Sequence, residues 1–91
     1  MTILTTETFD KLFRKLEPKI QRKAAEKTDL FQSDPFNPIL RTEKLHPKHY
    51  QVWSFRIDRN YRIVFRFLSG DRLEFMFVGH HNKIYNYDIF K

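Results

Sequence analysis

Glu43, His46, His49, His81 and Tyr85 are side chains able to accept, hold or donate a proton, and they lie in segments flanking two arginines, Arg56 and Arg62. Glu or His can serve as a base, Arg as an electrostatic clamp, and His or Tyr as an acid. These are the residue types that metal-free RNA cleavage requires. The 2′-hydroxyl must lose a proton, the oxygens of pentacoordinate phosphorus must be stabilised, and the 5′-oxygen must gain a proton. An aromatic side chain nearby can hold an unstacked base. Plainer accounts exist for some of these residues: Tyr85 docks the C-terminus with Ile84, and His81 caps a strand end. The residues leave open which of Glu43, His46, His49 and His81 is the base.

The arginines must be positioned by the run Trp53-Ser54-Phe55-Arg56-Ile57-Asp58-Arg59-Asn60-Tyr61-Arg62-Ile63-Val64-Phe65-Arg66-Phe67, which reads as a β-hairpin. Strand side chains alternate with period two, so Trp53, Phe55 and Ile57 share one face, as do Tyr61, Ile63, Phe65 and Phe67. A two-residue turn would mix the faces. A loop of Asp58-Arg59-Asn60 keeps them apart, pairing Ile57 with Tyr61, Phe55 with Ile63 and Trp53 with Phe65, with Asn60 taking the left-handed position. Arg56 then lies opposite Arg62, with Arg66 further along the same face. Like charges so placed cost roughly 0.2–1 kcal/mol. A bound polyanion turns that cost into affinity, because Arg suits bidentate recognition of phosphate. A solvated charged face is the alternative account.

Net charge is +6 and the sequence pI about 9.8, a balance that points to a polyanionic partner: RNA, DNA or an acidic protein segment. Length predicts a single domain over residues 1–91, and 41% hydrophobic residues with 10 Phe allow an aromatic core. No cysteine is present, which excludes disulfides and Cys-based metal sites or nucleophiles and fits the expected cytoplasmic location. His46, His49, His80 and His81 match no zinc spacing, so no metal is expected. Only 2 Gly and no glycine-rich phosphate loop argue against a nucleotide cofactor, and no cofactor of any kind is expected. No apolar stretch approaches the ~18 residues of a membrane span.

Upstream, Thr2–Thr5 reads as a short edge strand. Thr6 or Thr8 then caps a helix carrying Phe9, Leu12, Phe13 and Leu16 at helical spacing. Pro18 suits the first position of a second helix whose stripe is Ile20, Ala24 and Phe31. Ser33 to His49 reads as an irregular segment, anchored by Ile39, Leu40 and Leu45. It carries Arg41, Glu43, Lys44, His46, Lys48 and His49, and loops of such length in small domains are usually functional. Ser69-Gly70-Asp71 makes a second turn. The face test pairs Phe67 with Leu73, Phe65 with Phe75, Ile63 with Phe77, Arg66 with Glu74, Val64 with Met76 and Arg62 with Val78. The strand is expected to end at Gly79, before a short terminal segment. The predicted class is α+β: an N-terminal strand and helical hairpin packed on an antiparallel β-meander.

The order of elements, with Lys44-Leu45, Trp53-Ser54-Phe55-Arg56-Ile57, Tyr61-Arg62-Ile63-Val64-Phe65 and Val78-Gly79-His80-His81 leading to Ile84-Tyr85, resembles the RelE/ParE toxin superfamily of toxin–antitoxin pairs. It looks closest to the mRNA-cleaving RelE, YoeB and HigB branches. The motifs cover roughly the C-terminal half. The resemblance implies a RelE-like fold and a metal-free, ribosome-dependent endoribonuclease that cuts mRNA in the A site, leaves a 2′,3′-cyclic phosphate and inhibits translation. Its implied partners are a cognate antitoxin, mRNA and the ribosome. Arg62 takes the place of the phosphate and transition-state stabiliser, Arg56 that of a substrate-positioning arginine. Glu43, thirteen residues before Arg56, holds the spacing of the YoeB-like base. His81 falls where an acid or base stands and Tyr85 where an aromatic stacks on a base or assists proton transfer. Lys44, His46, Lys48, His49 and Arg66 complete the expected RNA contacts. The chain departs from RelE in having Ser54 and Phe55 near the places of two lysines, and His81 where RelE carries an arginine. It departs from YoeB in the Asn82-Lys83 inserted before Ile84. The same superfamily includes non-enzymatic ParE-like gyrase poisons, and a catalytically inactive nucleic-acid-binding relative is the third reading.

Overall fold

The structure, a computed structural model, describes residues 1–86. A five-stranded sheet of order β1-β5-β4-β3-β2 is formed by β1 (Thr2–Thr5), β2 (Glu43–Lys44), β3 (Trp53–Arg56), β4 (Tyr61–Phe67) and β5 (Arg72–His80). β1 runs parallel to β5 and every other pairing is antiparallel, so the sheet is mixed and has one strand more than the sequence predicted. The extra strand, β2, lies inside the segment read as irregular. The terminal segment expected after Tyr85 lies, past Asn86, outside the described residues.

Two helices, α1 (Glu7–Arg14) and α2 (Pro18–Ser33), cover one face. Thr6 caps α1 by accepting the Phe9 amide at 3.0 Å, and its hydroxyl donates to the Met76 carbonyl of β5 at 3.3 Å. One side chain thus satisfies an orphan helix donor and ties the helix start to the sheet. Pro18 opens α2, as its fixed φ and missing N–H favour. The predicted stripe of Ile20, Ala24 and Phe31 is buried. Phe31 forms the centre of the core, its ring 4.6 Å from Phe55, 4.9 Å from Phe65 and 6.1 Å from Phe75.

The first hairpin has the expected register: Trp53 opposite Phe65, Phe55 opposite Ile63, Arg56 opposite Arg62, and the Ile57 amide donating to the Tyr61 carbonyl at 3.0 Å. Asn60 does not take the left-handed conformation. Among the described non-glycine residues only Arg41 and Gln51 have positive φ, 49° and 55°. The turn is closed instead by Asp58, whose Oδ1 accepts the amides of Asn60 and Tyr61, both at 2.9 Å. A side-chain acceptor of this kind replaces a backbone one and removes the need for a strained residue.

The second hairpin begins as expected, with Phe67 opposite Leu73, Arg66 opposite Glu74 and Phe65 opposite Phe75. A β-bulge then leaves Met76 without a partner, and the register moves by one: Val64 pairs with Phe77, Ile63 with Val78, Arg62 with Gly79 and Tyr61 with His80. Val78 joins the helix-side core, whereas Met76 and Phe77 join a second apolar cluster with Leu45, Val52, Val64 and Ile84. The sheet face opposite the helices is therefore not wet throughout, as the alternation implied: its middle is dry and its charges stand around that patch. Of the three residues expected to anchor the long loop, Leu40 and Leu45 are buried, but Ile39 is 65% exposed. Phe67, at the strand end, is also exposed.

Candidate active site

On the face away from the helices, Arg56 and Arg62 stand side by side on β3 and β4. Among the described residues neither makes a salt bridge. The Arg62 guanidinium rests on the hairpin turn, its Nη1 within 3.2–3.3 Å of the carbonyls of Asp58, Arg59 and Tyr61. These contacts orient the side chain without neutralising it. Partial burial, then the charge of Arg56, presses Arg62 below its ordinary pKa, while Glu43 and Asp58 pull the other way. An arginine begins so high that it stays charged. The result is a half-buried cation, repelled by its neighbour and lacking a paired anion.

Gly79 lies across from Arg62 on its other side. A Cβ there would lie 3.0 Å from the tip of the Phe77 ring, tighter than ordinary contact, so glycine eases the close approach of that ring. Arg62 consequently has no bulky neighbour on β5. Sequence reading missed this because it placed Val78 opposite Arg62. The signal was present as a glycine within an otherwise apolar strand.

Glu43 pairs with Ser54 in the β2–β3 ladder, which puts it on the arginine face two residues along β3 from Arg56. His81 sits beyond the end of β5, where a short 3₁₀ turn, His81–Asn86, begins. Its amide donates to the Asn60 carbonyl at 2.8 Å, fastening it to the same turn that orients Arg62. Four of the candidate residues thus run diagonally across the sheet: Glu43 on β2, Arg56 on β3, Arg62 on β4, and His81 just past β5. Although His81 is largely exposed, partial desolvation lowers its pKa, followed by the charges of His80, Arg62 and Arg56. The neutral imidazole is therefore favoured, and that form can accept a proton. The His80 ring stacks on that of His81, centroids 4.7 Å apart.

Ile84, buried in the second apolar cluster, pins the 3₁₀ turn over the sheet, while the adjacent Tyr85 is 60% exposed. Tyr85 is on the same turn as His81. Other expected contacts lie apart from this group. Lys44 is on the opposite face, its Nζ 5.4 Å from the Trp53 ring centroid, a cation–π contact that explains it structurally. Arg66 is paired with Glu74 at 3.1 Å. His46, Lys48 and His49 are exposed beyond the Leu45–Val52 backbone bond, and no hydrogen bond or ion pair joins them to Arg56, Arg62 or Glu43. Asp58, which builds the turn under Arg62, was read from the sequence only as a loop residue. No group of three or more His, Cys, Asp or Glu that could hold a metal ion occurs among the described residues. No helix among them is long and apolar enough to cross a membrane.

Comparison with known proteins gives this arrangement a context. The ParE-like toxin domain model matches residues 18–86. A YoeB/ParE toxin from Agrobacterium tumefaciens is similar in structure, with TM-score 0.73 and 24% identity, covering 89% of this chain and 99% of that one. RelE in the RelB-RelE antitoxin-toxin complex from Methanococcus jannaschii superimposes with TM-score 0.70 and 26% identity, over 93% and 98% of the two chains. YafQ from Escherichia coli BL21(DE3) reaches TM-score 0.75 at 11% identity, over 91% and 96%. No curated protein sequence is significantly similar to the chain. With the family model spanning well over half of its length and the helical hairpin and mixed sheet matching these toxins, the chain belongs to the ParE-like toxin family and has the RelE-like fold.

Proposed function

We propose that this chain is the toxin of a toxin–antitoxin pair and acts as a metal-free endoribonuclease on mRNA in the ribosomal A site. The observation that carries the reading is the diagonal of Glu43, Arg56, Arg62 and His81. It sets a proton-transfer group on either side of two arginines that have no carboxylate partner. In-line cleavage of RNA needs that order. A base takes the 2′-hydroxyl proton, the 2′-oxygen attacks phosphorus, and the bond to the 5′-oxygen breaks as an acid supplies its proton. The products are a 2′,3′-cyclic phosphate and a free 5′-hydroxyl.

Arg62, oriented by three carbonyls, faces the charge that develops on the phosphoryl oxygens, and Arg56 holds the substrate in register. Glu43 and His81 share the proton transfers, and the lowered pKa of His81 suits it to the accepting role. Tyr85 stacks on a base beside the reacting phosphate. Resting in a cytoplasm that holds its own target, such an enzyme needs an antitoxin. Net charge +6 favours one with an acidic segment lying over the arginine face, and solved relatives include antitoxin–toxin complexes.

The test is mRNA integrity in a bacterial translation extract, mapped by primer extension, with wild type and Arg62→Ala side by side. Cuts inside codons are expected on translated message, and none with Arg62→Ala. Intact message alongside DNA damage that depends on gyrase would replace this reading with that of a gyrase poison.

A further inference from the structure

Arg56 borders a second feature besides the arginine face. A cleft of about 500 Å³ opens between α2, the 3₁₀ turn Pro38–Leu40 and the first hairpin turn, and five cations line it: Lys23, Lys27, Arg41, Arg56 and Arg59. Its two carboxylates are Glu26 and Asp58, and Asp58 is already engaged by Lys23 at 3.5 Å. None of the side chains of Lys27, Arg41, Arg56 and Arg59 makes an ion pair or hydrogen bond among the described residues. Arg41 reaches the cleft from a left-handed residue, φ 49°, that ends the 3₁₀ turn anchored by the fully buried Leu40.

We propose that this cleft binds backbone phosphates of the RNA strand running on from the scissile position, with Arg56 shared between cleft and reacting face. Four unpaired cations exceed what one phosphate requires, and they sit in separate elements that only an extended polyanion would bridge. Three of the four are arginines, whose planar guanidinium suits phosphate and stacks on bases. Exposed Ile39 gives the cleft an apolar surface for a base or ribose. The identity of the ligand rests on the ribonuclease reading above.

The test is binding of labelled 2′-O-methyl RNA, which cannot be cleaved, measured by fluorescence anisotropy over a range of KCl. A three-nucleotide and a twelve-nucleotide strand are compared. Lys27→Ala/Arg59→Ala and Arg41→Ala should weaken the long strand and leave the short one nearly unchanged. Each cation lost should flatten the slope of log K against log salt by about 0.7. Lys11→Ala, whose ammonium is held by Glu7 at 2.9 Å on α1, is the charge control and should keep the wild-type slope. An unchanged long-strand slope in the double variant, or an equal loss in Lys11→Ala, overturns the proposal. Competition by poly-glutamate as strong as that by RNA of equal charge overturns it in favour of a protein ligand. The expected slope changes in the variants, with a wild type that never cuts translated mRNA, refute the nuclease reading alone.

Discussion

The Asp58 carboxylate makes no hydrogen bond or ion pair with a candidate catalytic side chain, yet its removal should be felt in both stability and activity. Its Oδ1 accepts two backbone amides at 2.9 Å and its Oδ2 lies 3.5 Å from Lys23, with the side chain 23% exposed. Each amide bond to this partly solvated carboxylate is worth about 0.5–1 kcal/mol net, and the ion pair adds little. Asp58→Ala should therefore cost about 1–2 kcal/mol, or roughly 4–16 °C in Tm for a domain of this size. Asp58→Asn keeps one acceptor oxygen in place and should lose less. Burial raises the Asp58 pKa, but the Asn60 and Tyr61 amides and then Lys23 outweigh it, so the carboxyl is held below its usual value. A depressed carboxylate stabilises the fold above its unfolded pKa and ceases to do so as pH falls through the folded one. The gap between wild type and Asp58→Ala should thus be full at neutral pH and close below about pH 4. Urea denaturation followed by circular dichroism, repeated from pH 7 down to acid, measures both quantities. Because Arg62 rests on the carbonyls of Asp58 and Arg59, cleavage well below the lowered Tm should fall as well. Equal urea midpoints at pH 7, or a gap that persists undiminished in acid, would refute this account of the turn.

Phe65, fully buried and in ring contact with Phe31 and Phe55, should cost about 3–5 kcal/mol as Phe65→Ala; a normal denaturation midpoint would show the core assignment to be wrong. Gly79→Ala places a methyl 3.0 Å from the end of a Phe77 ring that is itself buried, and should cost about 1–3 kcal/mol by calorimetry; an unchanged stability would refute the role given to this glycine. His81 should titrate below the ordinary histidine value when followed by NMR, and Arg62→Ala should raise its midpoint by removing a facing positive charge. A midpoint indifferent to Arg62 would place the two groups outside each other's reach.

Much of this architecture was legible from residue types. The arginine pair followed from a face test on strands whose inward and outward residues differ sharply in polarity. Pro18 marked a helix start by its own chemistry, and Thr6 was one of two threonines able to cap the other. Where that contrast vanishes, so does the information. Phe75-Met76-Phe77-Val78 is apolar throughout, so period two gives no sign of the bulge, and the partner of Arg62 was misread by one residue. β2 is two residues long and too short to display any alternation. The positive φ values fall on Arg41 and Gln51, neither of the types that announce a left-handed backbone, while Asn60, which is such a type, is relieved by Asp58. Glu43 and His81 were picked out by residue type and by a resemblance; their alignment with the arginines depends on β2 pairing and on the bulge, which only three dimensions reveal.

In a strand of strict period two, inward and outward positions are locked in phase along the whole length, so a single insertion anywhere exchanges the two sets. The unpaired Met76 resets that phase in the middle of β5. Leu73 and Phe75, before it, answer to the fit of the helices; Gly79, after it, answers to the space beside Arg62. Substitutions that resize the first part need not disturb the second. Pairing Met76 into the ladder would couple them again, bringing Val78 against Arg62 and turning Gly79 toward the core, so that one residue left out of the pairing separates a packed sheet with an open site from a sheet that has filled its own.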